Sequence, residues 1–287
     1  MKKRIVAMGD GLWDLFPDGP RFGGATANYA CHASRLGADV HMVSGVGADE
    51  RGETLLQVYR KHGVNTHLVQ VLQDYPTGVV QVELTESGLP TFTIGENAAW
   101  DNWGWNQAVE EKVLDADAVY FGTLGQRGQS AREGIRRALE IGRTNKILRI
   151  LDINLRSPFY DDDLIRDSIS LCSVLKLSDE ELNRVCLACA LDSSRGDFNV
   201  LRELRTKFGL DVVVMTQGAK GAILVHQDGV VEQPGVPATV IDTVGAGDSF
   251  TASMTLDILK GRDYAKFLKD ACKVAAGVCS HAGAVPE

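Results

Sequence analysis

Short apolar runs that alternate with amphipathic stretches constrain the fold of this chain more than any other feature. The runs at residues 40–43, 118–121, 147–151, 174–177, 212–215 and 223–225 have the length and composition of buried strands. Stretches with helical spacing lie between them, at 54–62, 130–144 and 200–208. Strand followed by helix, repeated, predicts an α/β fold with a doubly wound, mostly parallel sheet covered on both faces.

Two stretches break this alternation. Residues 11–24 are rich in Gly, Asp and Pro, and residues 77–97 hold two segments with alternating faces, 79–84 and 91–94, around a turn at Glu86-Ser87-Gly88. We interpret them as a small β lid inserted in one domain that spans residues 1–287.

Charge and cysteine content narrow the class of protein. A formal net charge of -8 argues against nucleic acid or an anionic membrane as a partner. No segment approaches the ~18 apolar residues of a membrane-spanning helix. The six cysteines lack the spacing of a disulfide framework, and the C-x-x-C pair Cys186 and Cys189 lacks a second pair for a metal. We therefore expect a cytoplasmic protein with reduced thiols.

Polar residues follow the predicted strands. Asp10, Thr123, Asp152 with Asn154, Ser178 and Thr216 all come directly after apolar runs. In open α/β sheets, ligands bind outside the carboxyl ends of the strands, so these side chains are expected to line one crevice. Loops are polar in any case, and this pattern alone leaves their function open.

The segment 242–250, Asp-Thr-Val-Gly-Ala-Gly-Asp-Ser-Phe, carries the strongest chemical signal. A glycine-rich turn that opens a helix directs several N–H groups at one point, and the helix dipole adds positive potential there. Such a site suits a phosphoryl group in transfer. Asp248 at its mouth can accept a proton from an attacking hydroxyl, or it can serve as a plain helix cap.

A second unusual segment, 23–30 with the glycines of 45–52, completes a resemblance to the ribokinase-like (phosphofructokinase-B type) carbohydrate kinases. The blocks 152–156, 176–181, 216–221 and 283–284 also match that family in order, and the opening resembles bacterial fructokinases most. The resemblance implies ATP- and Mg²⁺-dependent phosphorylation of a sugar hydroxyl, with fructose as the first candidate. Ribose, another ketose or a nucleoside is the alternative, and a non-catalytic sugar sensor is the third hypothesis.

The resemblance also assigns the catalytic and sugar-binding positions. Asp248 matches the catalytic base, and Gly245, Ala246 and Gly247 match the anion hole. Asp14 and Asn28, with Gly24 beside them, match residues that hold sugar hydroxyls. From the residues alone, Asp14 can equally cap a loop and Asn28 can start a helix.

The remaining blocks are implied to contact the substrate, the nucleotide or the metal. The residues expected to face the substrate and the phosphates are Asp152, Asn154 and Arg156, although Arg156 can equally form a surface salt bridge. Those on the nucleotide side are Lys176, Ser178, Thr216, Gly218, Gly221 and Gly283, although Gly221 also suits a plain turn. Glu181 is expected to hold Mg²⁺ through water, or to complete a capping box with Ser178. Asp242 corresponds to a region that binds K⁺ in some relatives.

Two further expectations concern the substrate loop and the assembly. Thr26 stands where relatives usually have Pro, which places the substrate loop in doubt. Lid hairpins with exposed edges often pair between subunits, and we therefore expect a homodimer.

Overall fold

The computed structural model describes residues 2–84 and 90–286, and within them the chain forms two sheets. The strands are β1 (Arg4–Met8), β2 (Leu12–Phe16), β3 (Gly19–Gly23), β4 (Asp39–Gly47), β5 (Val69–Leu72), β6 (Gly78–Leu84), β7 (Pro90–Ile94), β8 (Ala118–Gly122), β9 (Leu148–Asp152), β10 (Val174–Ser178), β11 (Val212–Thr216), β12 (Gly221–His226) and β13 (Gly229–Pro234). The helices are α1 (Ala25–Arg35), α2 (Glu50–Lys61), α3 (Gln107–Leu114), α4 (Gln129–Thr144), α5 (Asp162–Leu171), α6 (Asp179–Ala188), α7 (Asp197–Phe208), α8 (Ala246–Leu259) and α9 (Tyr264–Cys279).

The larger sheet confirms the predicted α/β fold. Its order in the described residues is β13-β12-β11-β10-β9-β8-β1-β4-β5, and every pair from β11 to β5 is parallel. The run at 223–225 lies in β12, which is antiparallel to β11. Only Gln217 and the short turn Gly218–Lys220 join these two strands. A parallel return needs a crossover of a dozen residues or more, so this link permits only a hairpin.

The core lies on both faces of this sheet. Val6 and Met8 of β1 belong to one apolar cluster, with side chains of α3 to α7. Ile5 and Ala7 belong to the other, with side chains of α1, α2, α8 and α9. Since successive strand residues point to opposite faces, a strand buried on both sides has to be apolar throughout. This requirement produces the continuous apolar runs seen in the sequence.

The smaller sheet has the order β3-β2-β6-β7, and its strands fall within the ranges 11–24 and 77–97. The hairpins β2–β3 and β6–β7 are joined by a parallel pairing of β2 with β6. Leu12, Val80 and Val82 form its own small apolar cluster. The turn predicted at Glu86-Ser87-Gly88 lies outside the described residues. Among the described helices, none has the length and apolar character to cross a bilayer.

A buried ion pair joins the turns that follow β7 and β8. Arg127 Nε lies 2.7 Å from Asp101 Oδ1, and Arg127 Nη2 lies 2.8 Å from Asp101 Oδ2. The two side chains are only 8% and 6% exposed, and the guanidinium also stacks on Trp100 at 4.1 Å. Two parallel bonds to a planar guanidinium fix the orientation of both turns.

Replacing Asp101 with alanine is expected to destabilise the fold by about 3–5 kcal/mol, because Arg127 would remain buried without its counter-charge. Urea unfolding measures this free energy. Glu203→Ala is the matched control, since the Arg195–Glu203 pair is 55% and 38% exposed and should contribute only about 0.2–1 kcal/mol. Equal losses in the two variants would contradict a special role for the buried pair.

Candidate active site

A cleft of about 460 Å³ opens at the carboxyl edge of the large sheet, beside the small sheet. The structure therefore brings most of the predicted site residues together, although they come from seven separate segments of the chain. The predicted residues that line the cleft are Asp14, Gly24, Asn28, Asn154, Arg156, Lys176, Asp242, Gly245, Gly247, Asp248 and Gly283.

The cleft side of α8 is shaped by Gly245. Its φ of 80° lies in the left-handed region, and a Cβ there would come within 2.2 Å of the Ala284 carbonyl oxygen. The first bond of the helix runs from Ser249 N to Gly245 O, so the preceding amides have no acceptor within the helix. The Ala246 amide lies 3.3 Å from Thr243 O, and Ala246 is absent from the cleft lining.

Asp242 anchors this turn to the C-terminal segment. Its Oδ1 accepts from Val244 N at 3.0 Å, and its Oδ2 accepts from Gly283 N at 3.0 Å. Both oxygens of the carboxylate therefore have a main-chain donor. The contacts fix the glycine turn against Gly283, which is why two segments 41 residues apart line one cleft.

Asp248 is half-buried at the first turn of α8, and Asn28 Nδ2 donates to its Oδ2 at 2.9 Å. The pKa of Asp248 is raised from its ordinary value of 3.8 to about 7, mainly by loss of contact with water and next by the nearby Asp152 carboxylate. The bond from Asn28 and the charge of Lys176 oppose it. Such a carboxyl group can exchange a proton near neutral pH.

Asn28 has a second feature that points to a ligand. Its Oδ1 is buried and has no hydrogen-bond partner in the described part of the chain, while its Nδ2 is held by Asp248. A buried acceptor without a donor is unfavourable unless a ligand supplies one. The free oxygen is therefore suited to accept from a bound hydroxyl group next to Asp248.

Asp14 extends from β2 into the same cleft. Its carboxylate lies over Gly23, where a Cβ would come within 2.3 Å of Oδ2. The pKa of Asp14 is raised to about 6 by burial first and by the Asp10 carboxylate second, against the opposing charges of Arg156 and Arg21. A side chain at position 23 would displace this carboxylate, which explains the glycine.

Asp10 lines the cleft, as its place after the first predicted strand indicated, although the sequence assigned it no role in the site. It is buried, its Oδ2 accepts from Ala25 N at 2.7 Å, and its Oδ1 accepts from the Thr26 hydroxyl at 2.8 Å. This hydrogen bond explains why a residue with a hydroxyl group, Thr26, occupies this position. The signal was its position, because Asp10 lies two residues after β1, at the carboxyl end of a strand, as Asp152 lies at the end of β9.

Asp152 was predicted to contact substrate, but the structure places it behind the cleft. The residue is 1% exposed, its Oδ1 lies 3.1 Å from Lys176 Nζ, and its Oδ2 lies 2.9 Å from the Thr251 hydroxyl. Lys176, Asn154 and Arg156 form the cleft surface instead. Asn154 has a φ of 38°, a left-handed conformation that Asn tolerates better than most residues.

Glu181 forms the capping box predicted from Ser178. Its Oε2 accepts from Ser178 N at 2.8 Å, and its Oε1 accepts from Leu155 N at 2.7 Å. Within residues 2–84 and 90–286, His, Cys, Asp and Glu form no group of three or more that could hold a metal. These residues fit Mg²⁺ only in its usual form, with several waters and substrate phosphates as ligands.

Ser178, Thr216, Gly218 and Gly221 lie along the same sheet edge, outside the cleft lining. Ser178 and Thr216 are register partners at the carboxyl ends of β10 and β11. Gly221 has a φ of 112°, and a Cβ there would come within 2.0 Å of Gln233 O. The turn alone therefore explains why position 221 is a glycine, and contact with a ligand is not needed to explain it.

Comparison with known proteins identifies the family. A family model described as "pfkB family carbohydrate kinase" matches residues 19–286. The chain belongs to this family. It is thus a carbohydrate kinase, as the resemblance of its motifs implied.

Known kinases resemble this chain over most of its length. Aminoimidazole riboside kinase of Salmonella typhimurium is 29% identical, over 88% of this chain and 79% of the relative. A fructokinase of Klebsiella pneumoniae is 26% identical, over 88% and 84%. The structure of a sugar kinase from Pyrococcus horikoshii in complex with ATP has a TM-score of 0.81 at 28% identity, covering 98% of this chain and 94% of that one.

Asp248→Asn is expected to be more stable than the wild type above pH 7. The folded kinase binds the Asp248 proton more tightly than the unfolded chain does, so the wild type loses stability as the pH rises from about 4 to about 7. Asn carries no charge and avoids this loss. Urea unfolding at pH 5 and pH 8 measures the difference, with the exposed Asp18→Asn as control. A variant that is less stable than wild type at pH 8 would contradict the expectation.

Proposed function

We propose that this kinase transfers the γ-phosphoryl group of ATP to a hydroxyl group of a small sugar, with fructose as the first candidate. The proposal depends above all on Asp248, a half-buried carboxyl group whose pKa is raised to about 7, at the mouth of a glycine-rich helix start. A proton acceptor beside a phosphoryl-binding turn is the combination that this reaction needs.

Some residues of the cleft bind the sugar that accepts the phosphoryl group, and others bind the phosphoryl group itself. Asp14 and Asn28 hold neighbouring sugar hydroxyls, and the buried Asn28 Oδ1 takes one donor. Asp248 accepts the proton of the reacting hydroxyl. The amides of residues 245–247 stabilise the phosphoryl charge, most directly those of Gly245 and Gly247, which line the cleft. ATP would supply the phosphoryl group when bound, and Glu181 would hold Mg²⁺ through water.

The small sheet covers the acceptor side of the cleft and acts as the lid. Asp14 and Arg21 come from its β2–β3 hairpin, and Val80 and Ile94 come from the β6–β7 pair. A bound sugar therefore touches both the lid and the large sheet. Closure on the sugar excludes water and limits hydrolysis of ATP.

Fructose is supported by the fructokinase relative and by the carboxylate–carboxamide pair of Asp14 and Asn28. A carboxylate accepts and a carboxamide both donates and accepts, which suits vicinal hydroxyls. The ATP assignment is supported by the Pyrococcus structure in complex with that nucleotide.

An apolar strip favours a second candidate, a sugar or riboside with a bulky substituent. Phe16, Phe92 and Ile94 line the cleft beyond Asp14, and Phe92 is 57% exposed. A free hexose offers these rings only the small apolar patches of its C–H groups, whereas an aromatic substituent would stack on them with its whole face. Aminoimidazole riboside kinase, a relative, is named for a substrate of this kind.

A coupled ADP-release assay over sugars and ribosides tests both candidates. We expect turnover with fructose, and Asp248→Ala should retain the fold and lose at least ~10²–10⁴-fold in rate, as expected for a general base. Phe92→Ala should reduce kcat/KM for substituted substrates and leave fructose unaffected, with Thr93→Ala as the matched control. Ligand binding without any phosphate transfer would support the sugar sensor instead.

The rate should also fall with acidity. Because Asp248 must be unprotonated to accept a proton, kcat/KM is expected to decrease about tenfold per pH unit below pH 7. Asn28 lowers the pKa of Asp248, so Asn28→Ala should move this fall to higher pH. The pH profiles of the two proteins measure the shift. A profile that is flat from pH 5 to pH 8 would remove Asp248 from the proposed role.

Three predictions from the sequence complete the proposal. They are a K⁺ site at Asp242, a homodimer and a cytoplasmic location.

A further inference from the structure

The C-terminal segment of the described chain forms part of the cleft wall. Gly283 and Ala284 line the cleft, and the Gly283 amide donates to Asp242 Oδ2 at 3.0 Å. The backbone of Ala284 lies against the glycine turn, because a Cβ on Gly245 would come within 2.2 Å of the Ala284 carbonyl oxygen and 2.8 Å of its Cα. The place of this carbonyl group therefore limits where the glycine turn can lie.

His32 of α1 contacts the same carbonyl group. Its Nε2 lies 2.8 Å from Ala284 O, and the two residues are 5% and 4% exposed. A carbonyl oxygen only accepts, so Nε2 carries the hydrogen in this contact. A buried carbonyl group needs a donor, and here a side chain 252 residues away in the sequence supplies it.

The imidazole ring of His32 is uncharged at neutral pH. Burial lowers the pKa of His32 below its ordinary value of 6.5, against the opposing effect of the bond to Ala284, and the charges of Arg35 and His62 lower it further. A neutral ring with its hydrogen on Nε2 forms one directed bond and adds no charge to the cleft wall. The contact fixes a position and leaves the potential at the glycine turn unchanged.

The helix α1 reaches the site at two points. Asn28, four residues before His32, donates to Asp248 in the first turn of α8. Side chains four residues apart lie on the same face of a helix. One face of α1 thus contacts both the carboxyl group of Asp248 and the carbonyl group that lies against Gly245.

We propose that His32 is a positioning residue of this kinase, which holds the glycine turn of residues 245–247 in place through the Ala284 carbonyl group. His32 itself lies outside the residues that line the cleft. The inference rests on the kinase reaction proposed above, in which the amides of this turn stabilise the phosphoryl charge.

Loss of the His32 bond would reach the amides through Ala284. A buried carbonyl group without a donor turns towards another donor or towards water, because an unpaired acceptor is unfavourable. Since the carbonyl oxygen lies against Gly245, its movement would free the turn to shift. Amides that stabilise a transition state act because they are fixed in advance, and a small displacement lowers the rate.

Two substitutions of similar length test the role of the N–H donor. His32→Gln keeps a donor, because the amide nitrogen of Gln lies as many bonds from Cβ as Nε2 does, whereas His32→Met removes it. We expect His32→Met to lose about threefold to tenfold in kcat, the range that one neutral hydrogen bond supports, and His32→Gln to retain the wild-type rate. The KM for sugar should stay the same, because Asp14 and Asn28 are unchanged.

Arg35→Met is the matched control on the same helix and the same segment. Arg35 is exposed and donates to Pro286 O, two residues beyond the carbonyl group that lies against Gly245. Its removal should leave kcat as in the wild type. An equal fall of kcat in Arg35→Met and His32→Met would show that any attachment of the segment matters, and would contradict the specific role of His32.

Hydrogen exchange provides a readout that needs no turnover. The Gly283 amide is bonded to Asp242, so its exchange reports how firmly the segment is held. We expect exchange in residues 281–286, followed by mass spectrometry, to be faster in His32→Met and as slow as in the wild type in His32→Gln. If His32→Met fails to fold, His32→Asn gives the same test, because its amide ends one bond short of the Nε2 position.

Three results would overturn the proposal. One is wild-type kcat and wild-type exchange in His32→Met. Another is a loss of kcat that His32→Gln fails to restore, since the shape of the ring and not its donor would then matter. The third is a rise in the KM for sugar at unchanged kcat, which would mean that the substitution acts through Asn28.

The exchange measurement also distinguishes this inference from the proposed function. A wild-type chain that phosphorylates no sugar in the panel would contradict the proposed function, while exchange in residues 281–286 would still report whether His32 holds the segment. Normal turnover with fructose, together with an unaffected His32→Met variant, would contradict only the role of His32.

Discussion

The burial of a parallel sheet on both faces is the constraint on which the rest of the structure depends. Parallel strands need crossover connections, here helices on both faces, and the carboxyl ends of the parallel strands therefore lie at one edge. At that edge Asp10, Asn154 and Lys176 meet the start of α8, although the sequence separates them widely. The strands and helices supply the position, and the polar residues after them supply the chemistry. The separate glycine turn completes the site because Asp242 ties it to Gly283.

Electrostatics gives the cleft two halves of opposite character. On one side lie the carboxyl groups of Asp10, Asp14 and Asp248, and burial first, then the neighbouring carboxylates, raises the pKa of Asp14 and of Asp248. On the other side, amides and a paired lysine present positive potential. In the proposed reaction, a hydroxyl group would approach between a proton acceptor on the first side and a phosphoryl group bound on the second. Both halves converge on Asp248, which Asn28 contacts from the acceptor side.

The sequence predicted the fold and the centre of the site because both depend on local pattern. Apolar runs mark strands buried on two faces, and the Gly-Ala-Gly-Asp turn marks the start of α8. The predictions that failed depend on distances between separate segments of the chain, which no local sequence pattern encodes. Asp10 and Asp152 both lie at the carboxyl ends of strands, yet only Asp10 lines the cleft, and Asp152 is paired instead with Lys176 from the next strand. Gly221 belongs to a motif of the family, but the neighbouring Gln233 carbonyl explains it fully.

A single residue, Gly24, joins the small sheet to α1. The strand β3 ends at Gly23, α1 begins at Ala25, and Gly24 has a φ of 100°, with Asp10 O only 2.9 Å from the place of a Cβ. Asn28 lies one helical turn beyond this joint and touches Asp248. If the small sheet closes on a sugar in the proposed reaction by turning about Gly24, the movement would reach Asn28, and through it Asp248, over about one turn of helix. Binding of the sugar and alignment of the proposed base would then depend on the same connection.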